Sequence, residues 1–303
     1  MWHPRDRQDG DFRDYARLYP DTPPLPPLSD DLFAAFADAW AWPAAELDAS
    51  VIAATRGVRV AFVRGFLGNW MPGNLVAPVR ALQALGVDAS IARTDSGAPV
   101  ATNVDLLARG LSVGQGTPLL LCGHSKGGLE CLRLADARPD VAARVVGVLM
   151  SQTPRGSSAV LESLILRRHQ DSLPRPHRRA AEAVQRAGLS LIGANPGGNE
   201  LTESPLAALI AALDATPRAY PVWQTASWSS RPTAWLDAFH ERLGEIRPGC
   251  AHDGQFYLED LVWPGLPHLL LPHLDHAQPA MGGFGFDHVR YWKVLITLFL
   301  GAR

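Results

Sequence analysis

The stretch Leu119-Leu120-Leu121-Cys122-Gly123-His124-Ser125-Lys126-Gly127-Gly128 places a serine among glycines, where an apolar run meets a segment of helical spacing. That spacing comes from Leu129, Leu132 and Leu134. The implied order is strand, sharp turn, helix, with Ser125 at the apex. Such a turn lifts the hydroxyl clear of the backbone, and glycine two residues away on either side avoids collision with the neighbouring chain. The helix that follows aims backbone N–H groups and its positive dipole end at the same place. Ser125 is therefore a candidate nucleophile for acyl transfer, and an ordinary strand-to-helix turn with a capping serine is the alternative.

A serine nucleophile needs a base to take its proton, an acid to orient that base, and donors for the oxyanion. For a serine nucleophile on an elbow of this kind, the order along the chain should be nucleophile, acid, base. The donor loop should follow the first core strand, where Arg64-Gly65-Phe66-Leu67-Gly68-Asn69-Trp70 stands. Its Gly-X-X-Gly turn can present the N–H of Phe66, and the N–H of Lys126 is the second donor. Both are main-chain groups, so neither side chain is needed for this role. A plain glycine-rich turn is the competing reading of the loop. Four histidines follow the candidate acid: His268, His273, His276 and His288. His276 ranks first because it lies just past a strand, in the loop before the last helix. His268 opens that strand at the wrong end, and His273 and His288 remain as alternatives. Asp253, in the turn Gly249-Cys250-Ala251-His252-Asp253-Gly254, is the best candidate acid, with Glu259, Asp260 and Asp275 as rivals.

Elements that could position these residues are legible on both sides. Apolar runs at 58–63, 87–92, 119–122, 145–150, 220–228 and 268–271 read as strands. Helical spacing at 72–85, 100–111, 234–243 and 287–300 separates or follows them, which implies βαβ units and a largely parallel sheet. Between 157 and 218 the rhythm breaks into three helical stretches, at 161–168, 178–191 and 206–213, joined by Pro- and Gly-rich segments. An inserted helical cap fits this best. The domain reading is an N-terminal arm and helix over 1–50 and a main domain over 51–303, with the cap at 157–218. Leu67, Trp70 and Met71 adjoin the donor loop and are candidates for the substrate pocket.

Composition excludes several classes. The chain has 303 residues, 47% hydrophobic and 19% charged, with a net charge of −2. That suits a large packed core, and without a sustained basic stripe no nucleic-acid partner is expected. No apolar run is long enough to span a membrane, and the polar start Met1–Tyr15 carries no apolar signal segment, so a cytoplasmic location is expected. Cys122 and Cys131 fall on the core strand and helix and are expected as buried thiols.

With these residues in place, the chain resembles the α/β-hydrolase superfamily, in particular bacterial triacylglycerol lipases and related esterases. Arg64-Gly65-Phe66-Leu67-Gly68 is similar to their His-Gly-X-X-Gly oxyanion loop, and Gly123–Gly128 to their Gly-His-Ser-X-Gly-Gly elbow. Thr153-Pro154-Arg155-Gly156-Ser157 resembles a Thr-Pro-His-X-Gly-Ser segment, and Tyr220–Ser229 a Tyr-Tyr-Ser-Trp-Ser strand. His252-Asp253-Gly254 stands where the family carries its acid in Asn-Asp-Gly, and Asp275-His276 where the base is expected. The resemblance implies an α/β-hydrolase fold with a mostly parallel sheet, flanking helices and a helical cap. It also implies a serine carboxylic-ester hydrolase acting on an ester or lipid through Ser125, Asp253 and His276, with no cofactor. Some relatives hold calcium with an aspartate two residues after the base; Gln278 stands there, so no metal is expected. Were His273 the base, Asp275 would match the calcium position. A thioesterase or acyltransferase with the same triad is the alternative, and a non-enzymatic binding protein on this fold is the second.

Overall fold

The computed structural model describes residues 15–112, 116–169, 176–229 and 237–302. Six strands form one sheet in the order β2-β1-β3-β4-β5-β6, every neighbouring pair parallel. They are β1 (Arg59–Val63), β2 (Ala89–Ile91), β3 (Leu119–His124), β4 (Val145–Ser151), β5 (Val222–Trp228) and β6 (His268–Pro272). Their runs are apolar rather than alternating because helices cover both faces. One face sends Val60, Phe62, Leu120, Cys122 and Leu149 into one core, and the other sends Ala61, Val63, Leu119, Leu121 and Val148 into a second. That is the period-two alternation of a strand, with both faces dry.

On the first face lie α1 (Phe33–Trp40), α2 (Ala44–Ala54), α3 (Val76–Ala84) and the C-terminal helix (His288–Gly301). Trp292 of the last packs edge-on to Phe62 with ring centroids 5.0 Å apart. The second face carries α4 (Val100–Leu111) and α5 (Lys126–Ala137). After β4 come α6 (Ala159–Leu166), α7 (Pro176–Leu191), α8 (Asn195–Glu200) and α9 (Glu203–Asp214), and after β5 comes α10 (Asp237–Ile246). One of the Pro- and Gly-rich segments between the cap stretches, Asn195-Pro196-Gly197-Gly198, is the start of a short helix. Pro196 at its first turn removes an N–H that has no intrahelical acceptor there. Residues 234–236 of the helix expected at 234–243 lie outside the described residues.

The proline-rich arm is used structurally. The Asp21 N–H donates to Gly249 O (3.1 Å), the Ala251 N–H to Thr22 Oγ1 (2.8 Å), and the Leu32 N–H to His268 O (2.9 Å). The arm therefore runs beside β6, satisfies part of an otherwise open sheet edge, and braces the 249–254 turn. The helix α2 crosses residue 50, where the arm and main domain were expected to part.

The strand order reverses between β1 and β3, since β2 lies on one side of β1 and β3 on the other. In open parallel sheets the crevice at this reversal, beyond the carboxyl ends of the strands, is where ligands bind. The loops that leave β1 and β3 there are the two picked out for the donor loop and the nucleophile. None of the helices among the described residues is long and apolar enough to cross a membrane.

Candidate active site

Ser125 sits between β3 and α5 with φ 54° and ψ −130°, a region that L residues rarely adopt. Conformations of this kind cost about 1–3 kcal/mol and persist only when the surroundings enforce them. The surroundings here are glycines. A Cβ on Gly123 would lie 2.4 Å from Gly128 Cα, and one on Gly127 would lie 2.3 Å from the carbonyl oxygen of Val63. A Cβ on Gly65 would come within 2.7 Å of Ser125 Cβ. The elbow and the loop after β1 therefore touch, and only glycine allows it.

The structure brings Ser125, His276 and Asp253 into one line. His276 Nε2 lies 2.8 Å from Ser125 Oγ, and His276 Nδ1 lies 2.6 Å from Asp253 Oδ2. Asp253 is fully buried, while Ser125 and His276 keep small openings to the surface. The other carboxylate oxygen, Asp253 Oδ1, accepts the N–H groups of Gln255 and Phe256, both at 2.9 Å. With Oδ1 occupied by donors, Oδ2 is left to face the imidazole. The peptide of His276 is held as well, because its N–H donates to Asp253 O (2.8 Å). Its carbonyl accepts from the ring of His124 at 2.7 Å. Burial and the nearby His276 pull His124 down to about 3, so the ring is neutral and its single N–H serves that carbonyl.

The alternatives stand elsewhere. Asp275 Oδ1 accepts the N–H groups of Ala277 and Gln278 and caps the turn after His276. Glu259 pairs with Arg247 at 2.6 Å, and burial lifts the Asp260 carboxyl to about 7. His268 opens β6 beside the arm, His273 follows that strand with φ 57°, and the His288 ring rests against Gly282. Gln278, at the calcium-like position, spans the loop from the Asp275 N–H to Gly283 O. No group of three or more His, Cys, Asp or Glu able to hold a metal occurs among the described residues.

In the donor loop the Gly68 N–H donates to Gly65 O (3.0 Å), closing a turn whose third residue, Leu67, has φ 59° and ψ 5°. In a turn of this type the second residue's N–H takes no part in the closing bond, which leaves that of Phe66 for another acceptor. Lys126 is the first residue of α5, so its N–H has no acceptor four residues back. Arg64, where the resembled family has histidine, holds the loop through Asn74 O (3.2 Å) and Asn69 Oδ1 (3.3 Å).

Above Ser125 lies a cavity of about 470 Å³. Its walls come from the donor loop (Phe66, Leu67, Met71), from α6 (Leu161, Leu164), from α7 (Gln185, Leu189) and from Phe239 of α10. Trp70 was expected here and is not part of the wall. It is 57% exposed and borders a separate depression with Arg64 and Arg93, because the short turn Gly68–Trp70 carries it away from the crevice.

Two polar clusters had no counterpart in the sequence reading. Lys126, fully buried, donates to Glu130 Oε1 (2.7 Å) and Ala98 O (2.5 Å), and Asn103 donates to the same Glu130 oxygen (2.6 Å). Burial raises the Glu130 carboxyl against the pull of Lys126. The spacing i, i+4 of Lys126 and Glu130 was a readable signal for that pair. In the second cluster Arg242 of α10 reaches Ser163 Oγ (2.9 Å) and Glu182 (3.2 Å), and Ser163 donates to Glu182 (2.7 Å). It ties together α6, α7 and α10, three helices that also contribute to the cavity wall, from residues far apart in the chain.

Solved structures of known proteins share this architecture. A metagenomic carboxyl esterase superposes with a TM-score of 0.61 at 17% identity, over 82% of this chain and 77% of the other. The mature lipase BlEst2 of Bacillus licheniformis gives 0.57 at 17% identity, over 80% and 91%. Phospholipase PlaB of Legionella pneumophila gives 0.56 at 11% identity, over 79% and 60%. The chain has the α/β-hydrolase fold. At these identities the likeness is one of fold. No protein-family model and no curated protein matches the chain. Within the α/β-hydrolase fold, Ser125 occupies the turn after β3, and Asp253 the turn after α10, set beside the end of β5 where the Ser229 N–H donates to His252 O (2.9 Å). His276 follows β6, all at the carboxyl ends of parallel strands.

Proposed function

We propose that the chain is a serine hydrolase of carboxylic esters. The observation that carries this reading is the unbroken line Asp253 Oδ2–His276 Nδ1, His276 Nε2–Ser125 Oγ, at 2.6 and 2.8 Å. In the proposed reaction Ser125 Oγ attacks the acyl carbon while His276 Nε2 takes its proton. Asp253 holds the Nδ1–H tautomer and stabilises the imidazolium. The N–H groups of Phe66 and Lys126 receive the oxyanion. Collapse breaks the ester bond, and His276 returns the proton to the leaving alcohol. Water, deprotonated by the same imidazole, then cleaves the acyl-enzyme and restores Ser125.

The helices of 157–218, together with α10, act as a cap that keeps water from the reacting carbonyl and supplies an apolar wall for the acyl group. The Arg242–Glu182–Ser163 cluster supports this by fixing three of those helices to one another. Thioesters and acyl transfer would use the same three side chains, and a panel of oxygen esters, thioesters and alcohol acceptors separates these. A binding protein on this fold would show no turnover at all. Ser125→Ala should lower hydrolysis of p-nitrophenyl esters by about 10³-fold or more, since only binding and the oxyanion donors remain. Retention of activity in a folded Ser125→Ala protein would refute the proposal.

A further inference from the structure

The cavity above Ser125 carries no lysine, arginine, aspartate or glutamate in its lining among the described residues. Its polar wall groups are the reacting Ser125 and His276 with His124, Asn74, Gln185 and Gln255. A ligand bearing phosphate or carboxylate would lose its hydration here without meeting a cation, which is unfavourable. An uncharged alkyl chain meets the opposite situation, with leucine, isoleucine, phenylalanine and methionine on several sides.

The volume gives a scale for the length of chain that fits inside the cavity, which is open to solvent on one side. At roughly 30 Å³ for a water-sized group, which is close to a methylene, about 470 Å³ holds some fifteen groups. The ester carboxyl and the near part of the leaving group take several of these, leaving space for an acyl chain of about six to ten carbons.

One residue of the wall has no structural reason to be glycine. The helix α7 turns Gln185, Gly188 and Leu189 to the cavity, and Ile192 just past its end continues that face, at spacing i, i+3, i+4 and i+7. Gly188 is an interior helical residue, where glycine is a poor helix former. Its φ is not in the left-handed region, and a Cβ built on it meets nothing within 4 Å. Gly123 and Gly127 are different, since backbone atoms exclude a Cβ at both. What glycine provides at 188 is open space on the cavity wall, toward its exposed rim.

We propose that the site selects uncharged esters of straight, medium-length acyl chains, and that Gly188 is a specificity-determining residue that keeps the acyl channel open. This rests on the serine-hydrolase reading above. Each methylene accommodated should raise kcat/KM by about fourfold until the channel is full. A larger side chain at 188 shortens the channel.

The test measures kcat/KM for p-nitrophenyl acetate, butyrate, octanoate, laurate and palmitate with the wild type, Gly188→Leu and Gly188→Trp. It adds octanoyl-coenzyme A against uncharged octanoyl-N-acetylcysteamine, and labelling of the wild type by a fluorophosphonate. For the wild type the expected maximum is near octanoate, with palmitate lower by about tenfold or more and the coenzyme A thioester lower than its neutral counterpart by a similar factor. In Gly188→Trp the octanoate-to-acetate ratio should fall about tenfold, and in Gly188→Leu by a smaller factor. If the tryptophan variant does not fold, the leucine variant decides. A maximum at acetate or palmitate overturns the assignment of length, and a variant profile parallel to the wild type overturns the role of Gly188. Equal rates for the two thioesters overturn the exclusion of charge. A wild type that neither labels nor turns over any ester refutes the underlying serine-hydrolase reading instead.

Discussion

His124→Phe is the most informative single change outside the proposed triad. The ring of His124 donates to the carbonyl of His276 at 2.7 Å, in a setting where both residues are buried. Phenylalanine keeps most of the volume and removes the donor. The His276 carbonyl then loses that partner, at a cost of about 1–3 kcal/mol. The other backbone bond of His276, its N–H to Asp253 O at 2.8 Å, persists, so the loop stays near its place but the imidazole is less well held. If the whole cost falls on the transition state, kcat drops by about five- to 150-fold. KM should change little, because the lost bond does not touch the acyl chain. Steady-state hydrolysis of p-nitrophenyl butyrate, with circular dichroism as a check on folding, reads the split. A folded variant with kcat within twofold of wild type, or with the loss confined to KM, would show that His124 does not position the base (twofold being roughly 0.4 kcal/mol).

Other outcomes follow from particular contacts. Asp253→Asn should lower kcat by about 10³–10⁴-fold, because the amide presents a donor to Nδ1 and drives the wrong tautomer toward Ser125. The same steady-state assay measures it, and the variant should still fold. Acid stability should depend on His124 and His252, which burial pulls to about 3 and about 4 from 6.5. Above pH 6.5 neither the folded nor the unfolded state binds these protons and stability is full. As pH falls below 6.5, the unfolded chain gains protons that the folded one refuses, so stability is lost. Urea midpoints from neutral to mildly acidic pH should show His252→Phe losing less than wild type, by up to about 1.4 kcal/mol per pH unit. Gly127→Ala should cost about 3 kcal/mol or more, since its Cβ would sit 2.3 Å from Val63 O, while Gly110→Ala in α4 meets nothing within 4 Å. That second change should raise stability by about 0.5–1 kcal/mol, as urea denaturation would show.

Much of the fold was readable because both faces of the sheet are dry. The continuous apolar runs at 119–122 and 145–150 cannot be solvent-facing strands, and the helix at 100–111 agrees with the structure at both ends. The glycine pattern around Ser125 was readable for a different reason, since backbone contacts that no Cβ can tolerate leave a direct mark on the sequence. Chain order brought forward Asp253, and position just past a strand brought forward His276; the structure sets His276 against Ser125 and Asp253 against His276. Features that depend on contacts distant in sequence were not readable. Nothing local in the arm says that Thr22 accepts from Ala251, or that Arg242 meets Glu182 and Ser163. Trp70 misled for a related reason. Its place next to the donor loop suggested a pocket wall, but one helical turn decides the side of the crevice a residue faces, and adjacency in sequence does not.

Whether Ser125 is the nucleophile is read from the site of covalent capture. Wild-type protein treated with a fluorophosphonate, then digested and mapped by mass spectrometry, should carry one adduct on Ser125, with ester hydrolysis lost in proportion to labelling. His276→Ala should label poorly under the same conditions, since the hydroxyl then lacks the imidazole 2.8 Å away. An adduct on another residue, or hydrolysis that survives full modification of Ser125, would contradict the proposed mechanism.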